Sequence, residues 1–188
     1  MPLTVYFVRH ANAVREQGED KPDPPLSDLG KKQAERLARR LADFHFDHIY
    51  SSSMLRAELT ARLIHVYHKE TPLSILDDIR EVSHYHFIPE LLPDNPDVRA
   101  NIKRERDGVD RFVNYIHHNH RSGEHILVVC HGNIMRTIIP VLSGKDPAQN
   151  VLMEFSNTSL SILDVWANGE SVLILSNCIK HLLAKQVT

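Results

Sequence analysis

Cysteine is scarce in this chain of 188 residues. Cys130 and Cys178, each in or beside an apolar run, are too few for a disulfide framework and fit a reducing compartment. No stretch approaches the ~18 apolar residues of a membrane helix, so no membrane partner is expected. The opening MPLTVYFV has neither a positive n-region nor a long apolar core, and does not read as a signal peptide. Excess charge is lacking as well: a net charge of −2 argues against nucleic acid as a partner, which would call for a basic surface. Internal repeats and low-complexity segments are absent. The cytoplasm is the default compartment, and the length predicts one domain over residues 1–188. What the chain has in number is histidine, 13 in all, which directs attention to imidazole chemistry.

Short apolar, β-branched runs at 3–8, 48–51, 73–76 and 126–130 read as strands. Between them lie helical patterns. Ser27 caps a helix reaching about residue 44, with Ala34, Leu37, Ala38, Leu41 and Phe44 on one face. Further helices are predicted over 53–67, 97–118 and 132–142, and a closing hairpin joins 159–166 to 171–175 around Asn168-Gly169. The polar, proline-bearing stretches 16–25 and 77–97 read as loops, the second long enough to suggest a functional role. Strands alternating with helices predict an α/β fold, a three-layer α/β/α sandwich with a mostly parallel central sheet.

Ligands gather at the carboxyl ends of the strands in such sheets. Arg9-His10 and His131-Gly132 each follow a strand, and Arg56 lies one turn into the helix after another. Two arginines and two histidines converging there suit a phosphoryl group, since guanidinium forks match its oxygens. Gly132 and Asn133 open a helix whose first N–H groups would add to an anion site. A neutral imidazole with Nδ1–H held by a carbonyl presents Nε2 as a nucleophile. Positioning and charge neutralisation can then carry phosphoryl transfer without a metal or other cofactor. Glu81, at the start of the long loop, is placed to protonate the leaving oxygen. Taken singly, each of these residues has an ordinary reading as a surface or hydrogen-bonding side chain. The combination carries the argument.

Four segments in order then resemble one family. VRHANA resembles the Arg-His-Gly signature of the histidine phosphatase superfamily, with its phosphoglycerate-mutase-like fold. LSDLGKKQA (26–34), SSSMLRAELTA (51–61) and VVCHGNIMR (128–136) resemble that family's helix start, its arginine segment and its second-histidine segment. The resemblance implies His10 as the phosphorylated nucleophile, with Arg9, Arg56 and His131 on the phosphoryl oxygens and Asn12 and Gly132 beside them. It also implies Glu81 as proton donor, with Glu90 as a rival. Ala11 stands where glycine is usual, and Ala13 where many members carry a hydroxyl. The chain is short, and VREQGEDK follows the signature where mutases carry a Trp-Asn pair, which favours a phosphatase over a mutase. The region after Glu81 resembles, more loosely, the mitochondrial serine/threonine phosphatase branch, with no mitochondrial anchor expected ahead of it. The substrate implied is a phosphorylated small molecule or a phosphoprotein.

Three other readings compete. Cys130, five residues, then Arg136-Thr137 spell a C-x5-R-T loop resembling that of low-molecular-weight tyrosine phosphatases, with a thiolate as nucleophile. A phospholigand-binding module would keep the arginines and His131 but not turn over. His84, His86 and the 117–120 histidines invite a metal, although His117 and His118, adjacent on a helix, cannot face one ion together. No metal is expected there, and His84 and His86 are read as lining the substrate mouth. The late hairpin leaves a sheet edge that could pair in a dimer.

Overall fold

A computed structural model describes residues 1–13, 23–150 and 153–188. Most of the loop expected over 16–25, and the VREQGEDK stretch, lies outside them. Six strands, β1 (Leu3–Arg9), β2 (His48–Ser52), β3 (Leu73–Leu76), β4 (His125–Cys130), β5 (Leu160–Val165) and β6 (Ser171–Cys178), form one sheet in the order β3-β2-β4-β1-β5-β6. The pairings β3–β2, β2–β4 and β4–β1 are parallel, and β1–β5 and β5–β6 antiparallel. Helices α1 (Asp28–Leu41), α2 (Leu55–His65), α3 (Pro96–Asn119) and α4 (Gly132–Leu142) complete an α/β fold.

Strand alternation sorts the side chains onto the two faces. Tyr6, Val8, Leu127 and Val129 pack with Leu37, Leu41 and Ile64 of α1 and α2. Val5, Phe7, Ile126, Val128 and Cys130 pack with Val109, Phe112, Ile134 and Ile138 of α3 and α4. The neighbouring parallel strands β1 and β4 therefore send their following helices, α1 and α4, to opposite faces. That divergence opens a crevice at their carboxyl ends, the usual ligand position in such a sheet.

One expectation about side chains needs correcting. The first helix stops at Leu41, so Phe44 is not on its apolar face. Phe44 is 36% exposed and Phe46 takes the buried place, both meeting the Tyr6 ring edge-on. The 77–97 stretch is irregular but holds three single 3-10 turns, Asp77–Ile79, His84–His86 and Pro89–Leu91. The late hairpin forms as expected, with Gly169 at a positive φ of 85° in its turn. It leaves β6 at the sheet edge with Val172, Leu173 and Ile174 exposed. Among the described residues no helix is long and apolar enough to cross a membrane.

Gly30, in the first turn of α1, lies against the loop that follows β1. A Cβ there would fall 2.0 Å from the Asn12 carbonyl oxygen. Alanine should otherwise favour a helix over glycine by about 1 kcal/mol. The contact with backbone reverses that sign, and Gly30→Ala is expected to destabilise by about 1–3 kcal/mol in urea unfolding. A stability equal to or above wild type would contradict this packing.

Candidate active site

The crevice collects side chains from four segments. Arg9 ends β1 and pairs in register with Cys130 at the end of β4. His10 continues the ladder, its N–H donating to the Cys130 carbonyl at 2.9 Å. Beyond that bond the chain leaves the sheet, and His10 Nδ1 lies 2.8 Å from the Ala11 carbonyl. A carbonyl only accepts, so Nδ1 carries the proton and Nε2 keeps its lone pair. Arg56 Nε donates to that Nε2 at 3.1 Å. Its Nη1 is tied to Asp23 at 3.2 Å, and the other Asp23 oxygen accepts from the Leu55 N–H at the start of α2.

His131 is fully buried, its ring centroid 5.0 Å from that of His10. Ser52, the last residue of β2, accepts from the Met54 N–H and lies 2.8 Å from His131 Nε2. Its hydroxyl proton is therefore free to donate to Nε2, and neutral His131 then carries its proton on Nδ1. Among the described residues, that Nδ1 and Arg9 Nε are buried without a hydrogen-bond partner. Arg9 Nη1 donates to the Phe155 carbonyl at 2.5 Å, which fixes the guanidinium.

Burial, reinforced by Arg56 and Arg9 and opposed by the Ala11 carbonyl bond, pushes His10 down to about 3. Burial, with His10 and the arginines beside it, pushes His131 down further. Both rings are neutral at ordinary pH. Unfolded histidines gain a proton near pH 6.5. Below that value, and above the folded pKa, the unfolded chain binds more protons, so stability rises with pH. It is expected to be lost as pH falls from about 6.5 towards 3, with His10 alone costing about 2 kcal/mol at pH 5. Urea midpoints at pH 7 and 5 for wild type and His10→Asn should differ less in the variant. An equal difference in both would contradict the depressed pKa.

Glu81 reaches the same crevice from the irregular stretch. Its Oε1 accepts from the N–H groups of Asn133 and Ile134, both at 3.1 Å, and of Val82 at 3.2 Å. This corrects the expectation that the first turn of α4 offers its free N–H groups to an anion: a carboxylate already caps that turn, where the helix dipole favours it. Gly132, one residue earlier, lies beside Arg9, with an added Cβ 3.7 Å from Nε. Burial raises the Glu81 pKa, against the pull of the backbone N–H groups and of Arg56 and Arg9.

Other candidates lie elsewhere. Glu90 is exposed on a 3-10 turn. His86 is buried and lies 2.8 Å from Glu105, a contact that braces the loop against α3, while His84 is exposed. Asn12 turns its Oδ1 to the Ser27 hydroxyl, 2.7 Å away, and its carbonyl to the Ser27 N–H. His120 is held between the Tyr50 hydroxyl and Glu124, both at 2.7 Å. Among the described residues no group of His, Cys, Asp or Glu side chains is placed to hold a metal.

The cysteine reading fails on position. Cys130 is fully buried with its side chain among Ile134 and Ile138, and burial pushes its thiol far up, away from a thiolate. Arg136 stacks over the Phe87 ring at 5.3 Å instead of folding back over a cysteine loop.

Sequence reasoning missed Ser52, Thr60 and Asn157. Thr60 accepts from the Ala11 N–H at 3.0 Å and donates to the Arg56 carbonyl. Asn157 donates to the His10 carbonyl at 2.8 Å. Ser52 and Thr60 lie inside the SSSMLRAELTA segment and were within reach. Nothing near Asn157 in the sequence marks it.

A family model described as histidine phosphatase superfamily (branch 1) matches residues 5–88 and 92–178. The chain belongs to that superfamily. The phosphoserine phosphatase 1 of Hydrogenobacter thermophilus is 29% identical over 179 residues, covering 85% of this chain and 83% of that protein. The mitochondrial serine/threonine-protein phosphatase PGAM5 of Xenopus tropicalis is 25% identical over 169 residues, covering 88% of this chain. The match spans 60% of the length of that frog protein. Among solved structures, YhfR of Bacillus stearothermophilus superposes with a TM-score of 0.75 at 21% identity, over 95% of this chain and 98% of that one. A phosphoglycerate mutase from Bacillus anthracis does so at 0.71 and 21%, over 95% and 94%. Both share the phosphoglycerate-mutase-like fold. The two curated relatives described here are named phosphatases, consistent with a phosphoric monoester hydrolase.

Proposed function

We propose that this histidine phosphatase hydrolyses a phosphomonoester in two steps through a phosphohistidine on His10, with no metal. One observation carries the reading: a buried, neutral His10 whose Nδ1–H is committed to the Ala11 carbonyl and whose Nε2 faces Arg56. As substrate enters, Arg56 transfers its Nε–H bond from Nε2 to a phosphoryl oxygen. Arg9 Nε and the Nδ1–H of His131, buried without partners among the described residues, supply further donors.

The Nε2 lone pair then attacks phosphorus in line, and the bond from phosphorus to the ester oxygen breaks. The leaving oxygen takes a proton from Glu81. All three hydrogen bonds to Glu81 among the described residues fall on Oε1, so Oε2 is the oxygen that carries that proton. The raised pKa of the carboxyl supports the acid role. In the second step water attacks the phosphohistidine, Glu81 takes its proton back, the P–N bond breaks, and inorganic phosphate leaves His10 neutral.

A phosphorylated small molecule or a phosphoprotein fits as substrate class. The relatives named for phosphoserine and for serine/threonine-protein substrates favour a phosphoserine group. The test is hydrolysis of p-nitrophenyl phosphate and of a phosphoserine peptide in EDTA. Turnover that survives EDTA is expected, and turnover restored only by a divalent metal would overturn the scheme.

A further inference from the structure

Gln33 is fully buried on α1, and both its amide oxygen and its amide nitrogen are hydrogen-bonded. Its Oε1 accepts the Asn12 N–H at 2.8 Å, and its Nε2 donates to the Gln186 carbonyl at 2.6 Å and the Thr188 hydroxyl at 3.0 Å. The Asn12 amide only donates and the Gln186 carbonyl only accepts, so the orientation of the Gln33 amide is fixed. The Thr188 hydroxyl in turn donates to Asn157 Oδ1 at 3.1 Å, and the Thr188 carbonyl accepts the Asn157 N–H at 2.8 Å. Asn157 Nδ2 closes the ring on the His10 carbonyl.

Both ends of this chain of bonds fall on the peptides flanking Ala11. Asn157 holds the carbonyl of the His10–Ala11 peptide. Gln33 holds the N–H of the Ala11–Asn12 peptide, whose carbonyl is the one that receives His10 Nδ1–H. Rotating that peptide plane would swing the carbonyl away from the imidazole. Resting on the phosphatase reading above, we propose that Gln33 and Asn157 are positioning residues through which the segment 184–188 sets the aim of His10, so that turnover depends on that segment being seated. The segment enters the site through α1 and the loop before β5, without touching the phosphoryl group.

The experiment measures kcat and KM on p-nitrophenyl phosphate, with melting temperature, for wild type, Gln33→Leu, Thr188→Val, Thr188→Ser and the Gln33→Leu/Thr188→Val pair. Gln33→Leu is expected to lower kcat about tenfold and Thr188→Val about threefold, with KM within about twofold of wild type. Thr188→Ser should restore kcat, and the double variant should be no slower than Gln33→Leu, because both break one tie. Unchanged kcat, multiplicative losses, or a Thr188→Ser variant as slow as Thr188→Val would overturn the proposal. Thr188 is exposed, so its variants decide the matter even where Gln33→Leu fails to fold. Should wild type leave both the aryl phosphate and the phosphoserine peptide intact, the phosphatase reading fails separately. The tie is then read from hydrogen exchange at the Asn12 amide: faster exchange in Thr188→Val supports it, and unchanged exchange overturns it.

Discussion

His10→Ala is expected to lower kcat on p-nitrophenyl phosphate on the order of 10³-fold or more, while Cys130→Ser keeps most of the wild-type rate. The contrast follows from where each side chain points. His10 presents a neutral Nε2 among arginine donors, and alanine removes the atom that forms the covalent bond. Cys130 faces the α4 core, where serine changes packing but no reacting group. Its cost belongs to stability, because the new hydroxyl would be buried among apolar side chains, at about 1–3 kcal/mol if it finds no partner. A Cys130→Ser enzyme that is folded but inactive would reverse the assignment.

The second large effect is expected at Glu81, and it should depend on the leaving group. Glu81→Gln keeps an acceptor for the Asn133 and Ile134 N–H groups, so the cap on α4 survives. It removes the proton that an alkyl leaving oxygen needs, and phosphoserine hydrolysis should fall about 10²–10⁴-fold. A p-nitrophenolate leaves without protonation, so the first step with that substrate should be much less affected. Losses of equal size on both substrates would mean that Glu81 acts through structure or through the water step alone. A large loss in Glu90→Gln, on an exposed turn, would move the acid role there.

The sheet was legible because buried parallel strands announce themselves as short apolar runs, and the residues just past them were legible for the same reason. Arg9, His10 and His131 follow β1 and β4 directly, and Arg56 lies one turn into the helix after β2. Interactions set by tertiary contact were not legible. Whether Phe44 or Phe46 fills the core depends on where α1 must end for the chain to enter β2, and only Phe44 continues the helical pattern. The N–H groups of α4 look free in sequence, and their capture by Glu81 joins residues more than fifty positions apart. His86 follows Glu81 closely in sequence, and its bond to Glu105 on α3, nineteen positions on, is not marked there. The bond from Asn157 to His10 spans 147 positions, and no local pattern encodes it.

The most direct measurement is to trap the enzyme during turnover of a phosphomonoester, quench in alkali, and map the phosphate by mass spectrometry. The account predicts one acid-labile phosphate on His10, carried on Nε2 and missing from His10→Ala. Phosphate on Cys130, or turnover in His10→Ala with no phosphoenzyme at all, would contradict it.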